Sequence, residues 1–475
     1  MANVPRRERQ IGMRFHLLTP EIRELLAEGR HQDLVEVLQD MHPSDAATIL
    51  EGLDVEEIAS VLAHLPGDFE RDVFGYLDPE VQEAYVDGAG RERVQHVLQG
   101  MLSDDRAGFL ERLDDSIRRR LIPMLSAAAR EDLLRRDTFD EDQVGAILST
   151  EYAVLSPTAT ARSAIGALRR QAPSKETIYY SYVLDRAGQL VGFVSLRDLI
   201  LADPDEKIEE VMKTDLVSIT ADADQEEAAR LIRDYDLIAL PVVDSVGNLV
   251  GIVSHDDAVD IVEEEAQEDF EKMAGVTGHG VEPGDYDYMD EPVLRQVRRR
   301  APVICLLALF WVTTSTVIIA FEATLEKMVL LTSLLPMVMA TGGMVGTQAS
   351  ALVIRALTVG DVEKTTLTRV LWKELRVAGL MAVLLGAIAF LDTLLVSKVR
   401  DTGDTLELVL MAGAAIGAAM VGHVLSAALL GALTPLVVKR LRGDPAMIST
   451  PAVTAIADLT GAAIYLVMVT LMLAV

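Results

Sequence analysis

The sequence predicts a multi-domain protein. An all-α superhelical domain comes first, then a repeated α/β pair, an acidic connecting helix, and an all-α membrane domain of five transmembrane helices. Three observations predict this: segregation of charge along the chain, one internal repeat, and five long apolar runs. The 475 residues carry 43 Lys+Arg and 73 Asp+Glu, a net charge of −30. From Arg299 to Val475 there are 13 basic and 11 acidic residues, so the other 30 basic and 62 acidic residues, a net of −32, lie in residues 1–298. The expected boundaries are 1–137, 138–262, 263–298 and 299–475.

Half the residues are hydrophobic and 24% are charged, which excludes a disordered or low-complexity chain. The single cysteine, Cys305, excludes a disulfide framework or a thiolate metal cluster within one chain. The start, MANVPRRERQIGMRFHLL, has no apolar core of signal-peptide length. An acidic chain is also poorly suited to nucleic acid, whose phosphates would repel it.

Residues 15–137 read as a string of short amphipathic helices, among them DLVEVLQDM, DAATILEGL, EIASVLAHL and FERDVFGYL. Apolar residues recur at helical spacing, and the breaks carry Pro, Gly or Asp. Such a string suits a small helical superhelix.

The repeat lies in residues 138–262. VLDRAGQLVGFVSLRDLI at 183–200 returns as VVDSVGNLVGIVSHDDAV at 242–259, displaced by 59 positions. Asp185 matches Asp244, Gly188 matches Gly247, Gly192 matches Gly251, and Asp198 matches Asp257. Each copy reads as strand, Gly turn, strand, and a helix opened by Ser-x-x-Asp. This pattern resembles a tandem CBS pair. The resemblance implies adenine nucleotide or ion sensing, with Tyr180, Arg197 and Asp198 where related pairs contact nucleotide, so ATP is a candidate ligand.

After the repeat, HDDAVDIVEEEAQEDFEKMAG predicts a helix with Asp257, Asp260, Glu264 and Glu268 near one face. Like charges at this spacing repel, which leaves a solvated face or one neutralised by cations. The following GVTGHGVEPGDYDYMD reads as a linker.

Five runs are long enough to span a bilayer: 301–321, 328–350, 377–397, 408–438 and 450–475. Lys and Arg cluster before the first span (Arg295, Arg298, Arg299, Arg300), between the second and third (Arg355, Lys364, Arg369, Lys373, Arg376), and between the fourth and fifth (Lys439, Arg440, Arg442). The opposite loops are acidic: Glu322, Glu326, Asp401, Asp404 and Glu407. The excess of positive charge places the N terminus in the cytoplasm and the C terminus outside. Gly413 and Gly417, four apart in the fourth span, allow close helix contact within a chain or across a dimer.

Asp458 lies well inside the fifth span. A carboxylate there is costly and marks an ion or proton pathway by default. Thr454 and Thr450 precede it at one-turn intervals on one helix face. His423, in the fourth span, reads as a packed, hydrogen-bonded residue or as a partner for Asp458. In the second span, Pro336, Gly342, Gly343 and Gly346 weaken a helix, and Thr341, Thr347 and Gln348 add polar groups. Such a segment is either a kinked packing helix or a pore wall that offers carbonyls to a hard cation.

Taken together, these parts resemble the MgtE family of magnesium channels. The resemblance is carried by ETIYYSYVLD (176–185), LRDLILADP (196–204), DQEEAARLIRDYD (224–236), LPVVD (240–244) and the run around Asp458. It implies a homodimer in the bilayer that conducts Mg²⁺, with Asp458 holding the hydrated ion and Thr454, Thr450, Gly342, Gly343 and Gln348 lining the pore. It also implies regulatory Mg²⁺ ligands at Asp72 and Asp104 in the helical domain and at Asp224, Glu226 and Asp236 in the CBS pair. Further ligands are implied at Asp257, Asp260, Glu265, Glu268 and Asp269 along the connecting helix, and at Asp444 before the fifth span. Mg²⁺ bound among these carboxylates would hold the pore shut, and its loss would let repulsion open it. One departure stands out: Met344 occupies the Asn position of the family's GGN-x-G-x-Q motif, which removes an amide.

No HExxH, Walker or GxSxG motif is present, so an enzyme is not expected. Two other functions remain open on the residues alone: transport of another divalent cation such as Co²⁺ or Mn²⁺, or a membrane-anchored sensor without transport. The spans contain no His/Cys cluster for a soft metal, and a mere anchor needs no intramembrane carboxylate.

Overall fold

The computed structural model describes residues 19–276, 292–358, 367–400, 405–441, 443–447 and 450–473. The linker expected after residue 276 falls almost wholly outside them. The described residues form two compact units, one of residues 19–263 and one of the described residues from 264 onward.

Short helices from Thr19 to Arg136 open the first unit. Each places its apolar face inward, so Leu34, Leu38, Leu50, Phe74, Tyr85 and Phe109 share one core. Helix Pro43–Leu50 packs on Gly67–Gly75, and Val55–Leu62 packs on Pro79–Gly88. This alternate stacking produces the expected superhelix. Its breaks have local causes: Pro43 and Pro79 each begin a helix, where a missing N–H costs nothing. Helix α1 (Ser103–Arg112) belongs to this stack.

The CBS pair follows as two similar three-stranded sheets. In the first, β1 (Tyr152–Leu155) runs parallel to β2 (Thr177–Leu184), and β3 (Leu190–Ser195) pairs antiparallel to β2. In the second, β4 (Ile219–Thr220) runs parallel to β5 (Ala239–Val243), which pairs antiparallel to β6 (Leu249–Ser254). Helices α2 (Ala161–Gln171) and α4 (Gln225–Tyr235) occupy equivalent places in the two modules, and α3 (Leu196–Leu201) follows β3.

The repeated residues do the same work in both copies. Asp185 Oδ1 accepts from the N–H groups of Ala187 (2.8 Å) and Gln189 (3.0 Å). Asp244 Oδ1 does so from Val246 (3.0 Å) and Asn248 (2.8 Å). Gly188 and Gly247 take φ of +90° and +88°, a conformation that L side chains avoid. At Gly251 a Cβ would lie 2.8 Å from the Ser149 carbonyl oxygen, so a passing backbone demands glycine there. Ser195 caps α3 by accepting from Asp198 N at 3.0 Å. Ser254 and Asp257 form the reciprocal pair, with Asp257 N–H on Ser254 Oγ (3.2 Å) and Ser254 N–H on Asp257 Oδ2 (2.9 Å).

The acidic run forms one helix, α5 (His255–Ala274), and the second unit begins within it at Glu264. The candidate membrane spans follow: α6 (Val293–Ala320), α7 (Val329–Thr358), α8 (Leu367–Arg400), α9 (Leu406–Arg440) and α10 (Thr450–Met472). They run past the apolar windows because their charged ends stay helical. Helix α9 is central: it packs on α7, α8 and α10, with Ala412, Ala415, Ala419 and Ala428 buried. Helix α6 exposes Ile304, Leu306, Leu309 and Val312, as a lipid-facing helix would.

Candidate functional site

Two places gather the residues singled out in the sequence. The first is a groove of about 760 Å³ among the spans. It is lined by α7 residues from Leu335 to Gln348, by Thr454 and Asp458 of α10, and by Ile318 of α6. Helix α7 runs unbroken through Pro336 and its glycines, so carbonyls freed by unwinding are not how it serves the groove. The glycines instead allow close approach. A Cβ at Gly431 would lie 2.1 Å from the Gly346 carbonyl oxygen.

Thr454 and Asp458 lie one turn apart on the groove face, as their spacing predicts. Thr454 Oγ1 donates to the Thr450 carbonyl (3.1 Å) and lies 3.2 Å from Thr347 Oγ1. Gly343, Met344 and Gln348 also line the groove, whereas Gly342 and Thr450 are not among its lining residues. The lining offers one carboxylate, hydroxyls and an amide with no basic group. Hard oxygen donors around open volume suit a cation that keeps part of its water shell.

The second place is a carboxylate cluster in the first unit. Asp104 of α1, Glu176 before β2 and Asp257 of α5 bring ligand oxygens within 4.8 Å of one another. Burial, then Asp257, Glu176 and Asp105, push the Asp104 carboxyl up to about 8. Burial raises Glu176 to about 7, although hydrogen bonds from Ser149 and Ser254 pull the other way. Asp257 is raised, first by burial. Asp105 and Asp260 are raised too, by burial and then by Asp257. Glu176 Oε2 is buried with no hydrogen-bond partner. Packed carboxylates with an orphaned oxygen fit a divalent cation, which would satisfy that atom and favour the ionised forms.

Glu176 was missing from the sequence reading. It sits at the head of the ETIYYSYVLD run, but only the fold carries it to α1 and α5. The other expected regulatory carboxylates are spread apart. Asp72 is held by its neighbour Arg71 at 2.7 Å on an exposed helix face. Asp224 caps α4 by accepting from Glu226 N at 2.8 Å, Glu226 lies in the first turn, and Asp236 ends the helix at φ 51°. Glu268 and Asp444 both meet Lys272, at 2.9 and 2.8 Å. Glu265 and Asp269 lie before and after Glu268 along α5. Glu271 of α5 pairs with Arg299 of α6.

At the expected nucleotide position, Tyr180 packs edge-on against Phe193 and Arg197 is exposed. Asp198 pairs with Lys213 at 3.1 Å. Hydrogen bonds from Ser195 and then Lys213 hold its carboxyl below the usual range.

Three family models match: the MgtE intracellular N domain at residues 41–142, the CBS domain at 144–205 and 208–264, and the MgtE divalent cation transporter domain at 335–468. The magnesium transporter MgtE of Thermus thermophilus is 36% identical over 459 residues, which cover 96% of this chain and 98% of the relative. The chain belongs to the MgtE family. The MgtE of Bacillus subtilis is 30% identical over 454 residues, covering 96% of this chain and 97% of its own. A crystal structure of the soluble part of a magnesium transporter matches 53% of this chain and 99% of its own, at 30% identity and a TM-score of 0.50. In this family member, then, all the groove's lining residues but Ile318 lie in the region matched by the transporter domain, and the carboxylate cluster lies in the regions matched by the N domain and the CBS domains.

Proposed function

We propose that this MgtE chain is a Mg²⁺ channel of the cytoplasmic membrane, with Asp458 as its ion site and the soluble carboxylates as its sensor. The observation that carries the reading is the groove: one carboxylate with Thr347, Gln348 and Thr454 in an otherwise apolar lining, without a basic partner among the lining residues. A carboxylate kept at that depth serves a cation pathway. Thr347, Gln348 and Thr454 would hold the ion's remaining waters rather than strip them, because Mg²⁺ gives up water reluctantly. The soluble part is cytosolic, and positive charge beside the spans favours an external C terminus. The homodimer is part of the proposal.

Asp104, Glu176 and Asp257 would hold regulatory Mg²⁺, which supplies the charge that lets them stay ionised and packed together. Without it, their repulsion favours separation. A ligand stabilises the state it binds better, so cytosolic Mg²⁺ favours the closed state. We also propose an adenine nucleotide site at Tyr180, Arg197 and Asp198, with no catalytic role for the chain.

The test is Mg²⁺ flux into proteoliposomes with wild type and Asp458→Ala, at low and at about 10 mM cytoplasmic-side Mg²⁺, above weak carboxylate affinities. Flux in the wild type that high Mg²⁺ closes, and its absence in the variant, is the expected result. A folded wild type that moves no divalent ion in either condition sinks the channel reading and leaves a membrane-anchored sensor. Preference for Co²⁺ or Mn²⁺ over Mg²⁺ would reassign the cargo.

A further inference from the structure

We propose that His423 is a positioning residue for the cation groove, fixing the Gly342–Gly343 backbone against Asp458. His423 sits on α9 with its side chain fully buried. A Cβ at Gly342 would lie 1.8 Å from its Nε2, and a Cβ at Gly461 would lie 2.5 Å from the same atom. One imidazole therefore fills the space of two missing side chains, on the two helices that make the groove. Helix α7 presents Gly342 to this ring. The next residue, Gly343, faces the other way: its Cβ position lies 3.2 Å from Thr454 Cγ2 and 3.7 Å from Asp458 Oδ1. Consecutive glycines thus face the wedge and the ion site, so that movement of the ring would move the backbone opposite the carboxylate.

The polar character of the wedge supports a role beyond filling space. The ring lies near the Met339 carbonyl, yet neither nitrogen makes a hydrogen bond of normal geometry. A buried donor or acceptor left unmade costs free energy that an apolar side chain would avoid. The five-membered ring offers what Leu or Phe does not: a flat, short blade that enters between two glycine backbones. A branched Leu or a longer Phe would place atoms where the flat ring has none, and packed interiors do not absorb added atoms freely.

The inference rests on Asp458 being the ion site. The experiment uses the full chain in proteoliposomes and reads two quantities: the Mg²⁺ concentration for half-maximal flux, and the ratio of Mg²⁺ to Ca²⁺ flux. His423→Ala is expected to raise the first about tenfold and to lower the second, because small displacements around a bound ion are costly. Gly342→Ala presses the ring from the other side and is expected to do the same. The double variant His423→Ala/Gly342→Ala, with the new methyl entering the emptied space, is expected to return to within about threefold of wild type, the mark of coupled sites. The flux ratio is read only on conducting molecules, so loss of folded protein does not move it. If Gly342→Ala does not insert, Gly461→Ala with His423→Ala makes the same comparison.

Wild-type saturation and selectivity in His423→Ala overturn the inference, as does a double variant impaired by the sum of the single effects. Asp458→Asn is assayed beside them. Should it conduct normally, the ion-site reading is at fault. Should it be silent while His423→Ala is normal, the positioning role alone is wrong.

Discussion

The Lys272 ammonium lies 2.8 Å from Asp444 and 2.9 Å from Glu268, joining the connecting helix to the loop before the last span. Two groups expected to respond to Mg²⁺, Glu268 and Asp444, are thus already bridged by a fixed cation of the chain itself. The neighbouring Glu271–Arg299 pair ties the same end of α5 to the first span. Lys272→Gln leaves Glu268 and Asp444 facing each other with nothing between them. Closure would then depend more on added cation, and the Mg²⁺ that halves flux should rise about fivefold, in line with ~1 kcal/mol for a part-exposed pair. Asp444→Asn combined with Lys272→Gln should give little further change. Flux inhibition curves for the wild type and the two variants check this, and unaltered inhibition in Lys272→Gln counts against it.

Much of the fold was legible because it rests on local rules. The repeat at 59 positions fixed both hairpins, since Asp185/Asp244 and Gly188/Gly247 each act within four residues. The spans were legible from apolar length alone. Glu176 was not, because its importance lies in distance to α1 and α5, and distance across a fold leaves no sequence period. His423 was read as packed and hydrogen-bonded. It is packed, but neither nitrogen makes a hydrogen bond of normal geometry among the described residues, with glycine backbones and the Met339 carbonyl beside the ring.

The carboxylate cluster predicts proton-linked sensing. Burial raises Asp104 to about 8 and Glu176 to about 7, above ordinary values near 4. Without divalent cation the folded state therefore binds more protons than the unfolded chain. The stability contributed is full below about pH 4 and is lost as pH rises through 7 and 8. Mg²⁺ must displace these protons, so its binding at pH 7 should release about one proton per ion, and less Mg²⁺ should close the channel at pH 8 than at pH 6. Proton release in weak buffer and inhibition curves at both pH values check this. Asp104→Asn should flatten the dependence, and pH-independent inhibition in the wild type would speak against it.

Gly251 offers a test of the sheet geometry that carries Asp257. A Cβ there would meet Leu148 Cδ1 at 2.5 Å and the Ser149 carbonyl oxygen at 2.8 Å. The side chain could turn aside, but the carbonyl belongs to a strand-like segment bonded to Ile252, with both N–H···O links at 2.7 and 2.9 Å. Gly251→Ala should therefore cost about 1–3 kcal/mol, the range for overpacking. Proteolysis of the soluble part should quicken, while proteolysis of the spans should not. Unchanged resistance in the CBS pair would mean that this backbone yields more easily than its hydrogen bonds suggest.

Met344 tests the chemistry of the groove itself. It is 60% exposed and lines the groove, at the position where the family motif carries Asn. A thioether is a weak acceptor, whereas an amide oxygen can accept from the water shell of a magnesium ion. Met344→Asn should therefore lower the Mg²⁺ concentration for half-maximal flux severalfold, by roughly one hydrogen bond's net worth of about 1 kcal/mol. Because the residue is exposed, protein stability should change little. Flux titration with Mg²⁺ and with Co²⁺ gives the decision. If half-saturation by both ions is unmoved, position 344 does not face the hydrated ion, and selectivity must rest on Asp458 and the threonines beside it.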